Sequence, residues 1–371
     1  MTLSEFRNEP FTDFSNPENA AAMQKALADV RAQFGKTYPL IIGGERITTD
    51  KTIDSINPAN PKEVVGRVAS ATVELANRAI ETANQAFQTW RKVPAEQRAN
   101  YLFKAAAELR RRKFELSAWI VYEVSKSWAE ADGDIAESID FCEFYGREML
   151  RLAGPQPVHP LPGEDDQLRY IPLGAGVAIP PWNFPGAIMV GLVVAPVAAG
   201  NTIVLKPAST SPIIAAKFIE VLESVGLPAG VVNYLPGPGG SVGDTLVDHP
   251  KTRFIAFTGS KEVGLRIYER ASKLQPGQKW LKRTILEMGG KDTIVVDETA
   301  DLDAAADGIV ASAFGFQGQK CSACSRVVAV EQVYDKLLDR VVERARKISV
   351  GDPSEPGTFM GAVIDDKSFD K

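Results

Sequence analysis

From Leu173 to Leu205 the chain carries no charged residue. This is the strongest constraint on its folding, because so long an uncharged run must be hidden from water in a membrane or a large core. The segment holds Pro180, Pro181, Pro185 and Pro196, with Asn183 and Asn201. Its longest strongly apolar stretch, Ala187 to Ala199, falls short of the ~20 residues a membrane span needs. A strand, a turn, a helix and a second strand, all buried, is the better reading.

The same rhythm continues downstream. "GVAIP", "TIVLKP", "VVNYLPG", "RFIAFTG", "RTILEMG" and "DTIVVD" read as strands. Between them lie helical stretches from Phe184 to Ala199, over "PIIAAKFIEVLESVG", near "SVGDTLVDH" and over "KEVGLRIYERAS". Buried strands alternating with helices predict an α/β fold with a parallel, doubly wound, Rossmann-like sheet. Such sheets bind ligands at the carboxyl ends of their strands. Chemistry is therefore sought at Asn183, Lys206, Gly259–Ser260 and Glu287.

Upstream, residues 16 to 35 read as a helix, with Asn16 as cap, Pro17 at the first position and Gly35 as stop. "YPLIIGGERI" reads as a strand pair around Gly43–Gly44. Residues 72 to 152 repeat apolar residues at helical spacing, and "GPQPVHPLPGEDDQ" breaks the helices as a loop or excursion. There is no internal repeat and no low-complexity segment.

With 371 residues, 44% hydrophobic and 24% charged, the chain has a globular balance sufficient for about two or three domains. A net charge of −5 argues against a polyanion such as nucleic acid as partner. The start, "MTLSEFRNEPF", lacks the basic and apolar pattern of a secretory signal. Three unevenly spaced cysteines, Cys142, Cys321 and Cys324, make no disulfide framework and fit a reducing, cytoplasmic setting.

Cys321 and Cys324 lie in "GFQGQKCSACSR", which admits several readings. Zinc needs about four ligands, and the other candidates, Cys142, His159 and His249, are far off in sequence. A redox C-x-x-C pair usually opens a helix early in a small domain. Two inert buried cysteines are the plainest reading. A nucleophile needs a base for the second half of its reaction. His159 sits in a proline-rich loop and His249 precedes Pro250, so a carboxylate is the better base. Glu287 ends the apolar strand "RTIL"; a carboxylate there tends to face a cleft, or else merely caps a helix. In "PWNFPG" the prolines restrict the backbone around Asn183, which suits a fixed oxyanion donor or an ordinary turn residue. Lys206 ends the second strand, where a dinucleotide site meets its ribose. Gly259 and Gly264 flank a helix start suited to phosphate.

"PWNFP", "VLKPA", "FTGS", "EMGG" and "GQKCSACSR", in this order and spacing, resemble the aldehyde dehydrogenase superfamily from about residue 37 onward. "FGFQGQKCSACSR", "WAEADGDIAESIDFCEFYGREM" and the helical arm are most similar to its bacterial single-function branch acting on L-glutamate γ-semialdehyde in proline degradation. The resemblance implies an arm at 1–36, an NAD-binding domain at 37–290 with an excursion at about 153–172, and the first part of a catalytic domain at 291–371. It implies that Cys321 is the nucleophile, Glu287 the general base, and Asn183 the oxyanion donor beside the backbone N–H of Cys321. It implies a cofactor site of Ile179, Pro180, Trp182, Lys206, Ser209, Gly239, Gly243, Thr258, Gly259, Ser260 and Gly264. Glu137, Phe184 and Ser322 would meet the aldehyde substrate, and no metal is implied.

The implied reaction is oxidation through a cysteine thioester, with hydride passing to NAD, and hydrolysis by glutamate-activated water. NADP is left open, because strongly NAD-selective members often carry a carboxylate where this chain has Ser209. The end at Lys371 is expected to fall inside the catalytic domain, making the chain part of a longer homo-oligomeric enzyme whose lone activity is open. Another small semialdehyde, a CoA-dependent acyl transfer, or a non-catalytic role for the same fold are the alternatives.

Overall fold

The structure is a computed structural model and describes residues 4–370. The arm begins extended and continues as α1 (Pro17–Arg31), with Asn16 accepting from the N–H of Glu18 and Pro17 in the first turn. The extended part lies along a later helix, where Thr12 and Lys113 both bond Asp132. Next come β1 (Thr37–Tyr38), β2 (Leu40–Ile42), β3 (Glu45–Ile47), β4 (Thr52–Ile56) and β5 (Val64–Ala69). The turn between β2 and β3 uses Gly43 and Gly44, both at positive φ, a conformation glycine adopts without strain.

Four helices follow: α2 (Val73–Trp90), α3 (Ala95–Arg111), α4 (Lys113–Val124) and α5 (Trp128–Ala153). The apolar faces of α3, α4 and α5 share one core with Trp90 from the end of α2, and in it Trp90, Leu109 and Trp119 are almost wholly buried. Ala76, Ala79, Ile80 and Ala83 of α2 pack instead in a second cluster with Val177 and Val204. Residues 155–174 form no helix or strand.

The uncharged segment becomes β6 (Ala175–Ile179), α6 (Ala187–Ala198) and β7 (Thr202–Leu205). It is buried by α2, α3 and α5 on either side. No helix among the described residues is long and apolar enough to cross a membrane. The chain continues through α7 (Pro212–Ser224), β8 (Val232–Tyr234), a π-helical turn at Gly239–Gly243, α8 (Asp244–Asp248), β9 (Phe254–Thr258), α9 (Lys261–Ser272) and β10 (Arg283–Glu287). These strands lie in the order β10-β9-β6-β7-β8-β2-β3; from β10 to β8 neighbours are parallel, and β2 and β3 add an antiparallel edge. The strand order reverses between β6 and β9, which opens a crevice at their carboxyl ends.

Two strands differ from the reading of the apolar rhythm alone. "DTIVVD" leaves the large sheet: β11 (Asp292–Val296) pairs instead with β12 (Cys324–Ala329), in parallel. Their connection is α10 (Leu302–Phe314) and a 3₁₀ turn, and α11 (Glu331–Ala345) follows. Val296, Ala306, Ile309, Val333 and Leu337 give this unit a core of its own. β10, read as a buried strand, is the sheet edge and alternates exposed and half-buried residues. A parallel strand is buried on both faces only where helices cover both. The last element is α12 (Asp366–Phe369), a single turn.

Candidate active site

The crevice between β6 and β9 is a cavity of about 480 Å³. Ile179, Pro180 and Trp182 line it after β6, and Lys206 and Ser209 after β7. Gly239 and Gly243 contribute from the π-helical turn, and Thr258, Gly259 and Ser260 from the end of β9. Ser260 caps α9, its hydroxyl accepting from the N–H of Val263 at 3.3 Å. The remaining N–H groups of that first turn suit an anion. Lys206 is buried, and burial pushes its ammonium down to about 8. Among the described residues its one hydrogen bond is a long one, 3.3 Å to the carbonyl of Pro207, so donors remain for a ligand. A Cβ at Gly239 or Gly240 would meet no atom within 4 Å. A buried cation, a helix start and open backbone together fit a dinucleotide with its hydroxyls and phosphates.

Gly264 does not face this cavity. It lies on the underside of α9, where a Cβ would come 2.7 Å from the sulfur of Met288. Its smallness permits helix-on-strand packing rather than approach of a phosphate.

Thr258 also lines a second cavity of about 830 Å³, and so do Glu287 and Cys321. Cys321 is exposed, whereas Cys324 is buried. The sulfur of Cys324 is turned back on the carbonyl of Arg326 at 3.3 Å, and its N–H is held by Ser312. Residue types alone did not separate the two thiols, whereas the resemblance implied Cys321; of the two, the fold leaves Cys321 open to the cavity. Glu287 is exposed at the end of β10 rather than buried. Asn183 stands half-buried in the turn after β6, and its Nδ2 donates to the carbonyl of Gln319 at 2.9 Å. That bond ties the asparagine to the loop carrying Cys321. Gly290 passes so close that a Cβ there would lie 2.8 Å from the carbonyl of Cys321.

The three residues assigned to the substrate are not gathered in this cavity. Glu137 and Phe184 share a third one, of about 590 Å³, with Asn8, Phe11 and Thr12 of the arm. Desolvation there, and then the charge of Asp134, raise the pKa of Glu137. Phe184 lies beneath Lys126, whose Nζ sits 3.9 Å from the ring centroid and 2.9 Å from Asp134. Ser322 is exposed and lines none of these three cavities. Sequence reasoning missed Lys320, which pairs with Glu130 at 2.8 Å, and the glutamine side chains of the preceding loop. The glutamines in "FQGQK" were their only signal.

Residues 46–371 match the profile of the Aldehyde dehydrogenase family. The chain belongs to that family. It is 61% identical over 366 residues to the 1-pyrroline-5-carboxylate dehydrogenase of Geobacillus thermodenitrificans, covering 99% of this chain and 71% of the relative. Its fold is similar to that of a solved 1-pyrroline-5-carboxylate dehydrogenase from Thermus with bound NAD, at TM-score 0.96 and 53% identity, again over 99% of this chain and 71% of the other. Proline utilization A from Bdellovibrio bacteriovorus matches at TM-score 0.96 and 45% identity, over 99% and 38% of the two chains.

Proposed function

We propose that the protein oxidises L-glutamate γ-semialdehyde, the open form of 1-pyrroline-5-carboxylate, to L-glutamate with NAD. The observation that carries the reading is the shared wall at Thr258: the crevice fitted to a dinucleotide adjoins the cavity that holds Cys321 and Glu287. Identities near 60% to relatives named for that reaction support the substrate.

The residues divide the work as follows. The Cys321 thiolate attacks the aldehyde carbon, and the thiol's proton passes to solvent. The backbone N–H of Cys321 and the Nδ2 group of Asn183 stabilise the oxyanion that forms. Asn183 now gives its hydrogen bond to Gln319, so the other Nδ2 hydrogen is the one free for substrate. The bound dinucleotide supplies the acceptor for the hydride that leaves this carbon. Glu287 takes a proton from water, which adds to the thioester carbonyl; the C–S bond breaks and glutamate leaves. Lys206 and the first turn of α9 hold the ribose and phosphate groups. The three free cysteines support a cytoplasmic enzyme, and the exposed edge of β10 supports assembly into a homo-oligomer.

NADH formation with glutamate semialdehyde, succinate semialdehyde and acetaldehyde tests the substrate. The expected order puts glutamate semialdehyde first, and equal rates on all three would sink the assignment. Oxygen from labelled water should enter the product carboxylate; its absence would favour transfer to a thiol such as CoA. Ser209 itself brings no carboxylate beside Lys206, and of the two carboxylates that line the crevice Asp244 is paired with Arg266, leaving Glu262, so NADP should be accepted to a measurable degree at equal concentration.

A further inference from the structure

The turn just before Cys321 has an unusual backbone. Phe316 (φ 47°, ψ 44°) and Gln317 (φ 58°, ψ 23°) are both left-handed and adjacent. Such a conformation is strained for a non-glycine residue and persists only where its surroundings over-determine it. The surroundings here are specific. Phe316 is fully buried, edge-on to Trp182 with centroids 6.4 Å apart, and Lys126 Nζ lies 4.7 Å from its centroid.

Gln317 uses both ends of its amide. Its Nε2 donates to the carbonyls of Ser125 at 3.1 Å and Ala362 at 2.8 Å, and its Oε1 accepts from the N–H of Gly361 at 3.1 Å. Ser125 is itself left-handed, at φ 62°, and its hydroxyl accepts from the N–H of Ala362 at 2.9 Å. Gly361 has no room for a side chain: a Cβ would lie 2.5 Å from the Ser125 hydroxyl. Gln319 extends the splint, its Oε1 accepting from the N–H of Ile364 at 3.0 Å while its carbonyl receives Asn183. Two segments remote in sequence, at 125 and 361–364, are thus bonded to the two glutamines that precede the nucleophile. Only an amide supplies donors and an acceptor at once; a carboxylate would set oxygen against the carbonyls of Ser125 and Ala362.

We propose that Gln317 is a positioning residue: its side chain clamps the left-handed turn to Ser125 and Gly361–Ala362, and so fixes Cys321 against Asn183. The proposal rests on Cys321 being the nucleophile. A displacement of about 1 Å at a reacting group can cost about 10²-fold in rate, and that is the scale of loss expected.

Two variants in the full chain test it. Gln317→Gly removes the amide yet suits the left-handed backbone, whereas Gln317→Glu keeps the size and reverses the donors. Both should lose about 10²-fold in kcat while the Kd for NAD stays within about two-fold. A fall in kcat with NAD affinity kept is the split that a purely structural role would not produce. Parental kcat in Gln317→Gly overturns the clamp, as does a loss of kcat matched by equal loss of NAD affinity. Should the glycine variant fail to fold, Gln317→Glu decides alone on the same two criteria. Cys321→Ser separates the failures. If it retains turnover, the nucleophile assignment falls. If it is inert while the Gln317 variants are as active as the parent, the clamp alone falls.

Discussion

Two regions of this molecule have strands of similar apolar composition and opposite fates. In the centre of the large sheet, β7 and β9 are buried at every residue. In the small β11–β12 unit Val295 is 73% exposed and Val328 50% exposed. Helices cover both faces of the former, whereas the latter has only α10 and α11, packed on each other and on one side. The dry sheet sets the crevice, and the wet unit brings Cys321 to the cavity that adjoins it at Thr258. Rigidity and access are thus supplied by different parts of one chain.

The largest effects are expected around Cys321. Cys321→Ala should abolish NADH formation, and Asn183→Ala should lower kcat by about 10²–10³-fold, while Cys324→Ala keeps most activity because its thiol faces the Arg326 carbonyl. The reverse result for the two cysteines would invert the assignment. In stability the regions should part company too. Ile255→Ala in β9 removes a side chain with no solvent exposure and should cost about 2–5 kcal/mol in urea unfolding. Val295→Ala should change stability by less than about 0.5 kcal/mol. Equal losses would mean that the small unit is covered in solution.

The dry half also holds Glu123 of α4, wholly buried against the start of α7. It accepts from the Ser55 hydroxyl and from the N–H groups of Ile213 and Ile214. Burial nevertheless pushes its pKa up to about 7. A raised carboxyl pKa favours the protonated form in the folded state. Its contribution is therefore fully present below the unfolded value of about 4.3 and is lost as pH rises through about 7. Glu123→Gln sets an NH₂ group against an N–H and should cost about 1–3 kcal/mol at low pH. Its stability should fall less than that of the parent between pH 4.3 and 7, since only the parent titrates there. Parallel pH curves would remove Glu123 from that account.

Much of this was legible in the chain. Alternation of apolar runs with amphipathic stretches is local information, and it placed β6 to β10 and the helices between them. The turn residues after those strands followed from the parallel sheet itself, which is why Asn183, Lys206 and Ser260 were found. Gly264 was misplaced, because spacing does not say which side of α9 faces the crevice. Glu137 and Phe184 lie in a cavity whose other wall is the arm, more than a hundred residues earlier in the chain.

The sequence by itself determined the class of fold, the carboxyl-end crevice and the residue types around it, because strand and helix periods and turn chemistry act over a few residues. Only the tertiary structure decided how the Cys324 thiol is turned away, that β11 pairs with β12, and that Phe316 and Gln317 are left-handed. Those outcomes depend on contacts between segments such as Ser125, Gln317 and Gly361, and no local pattern encodes a bond whose partners lie that far apart.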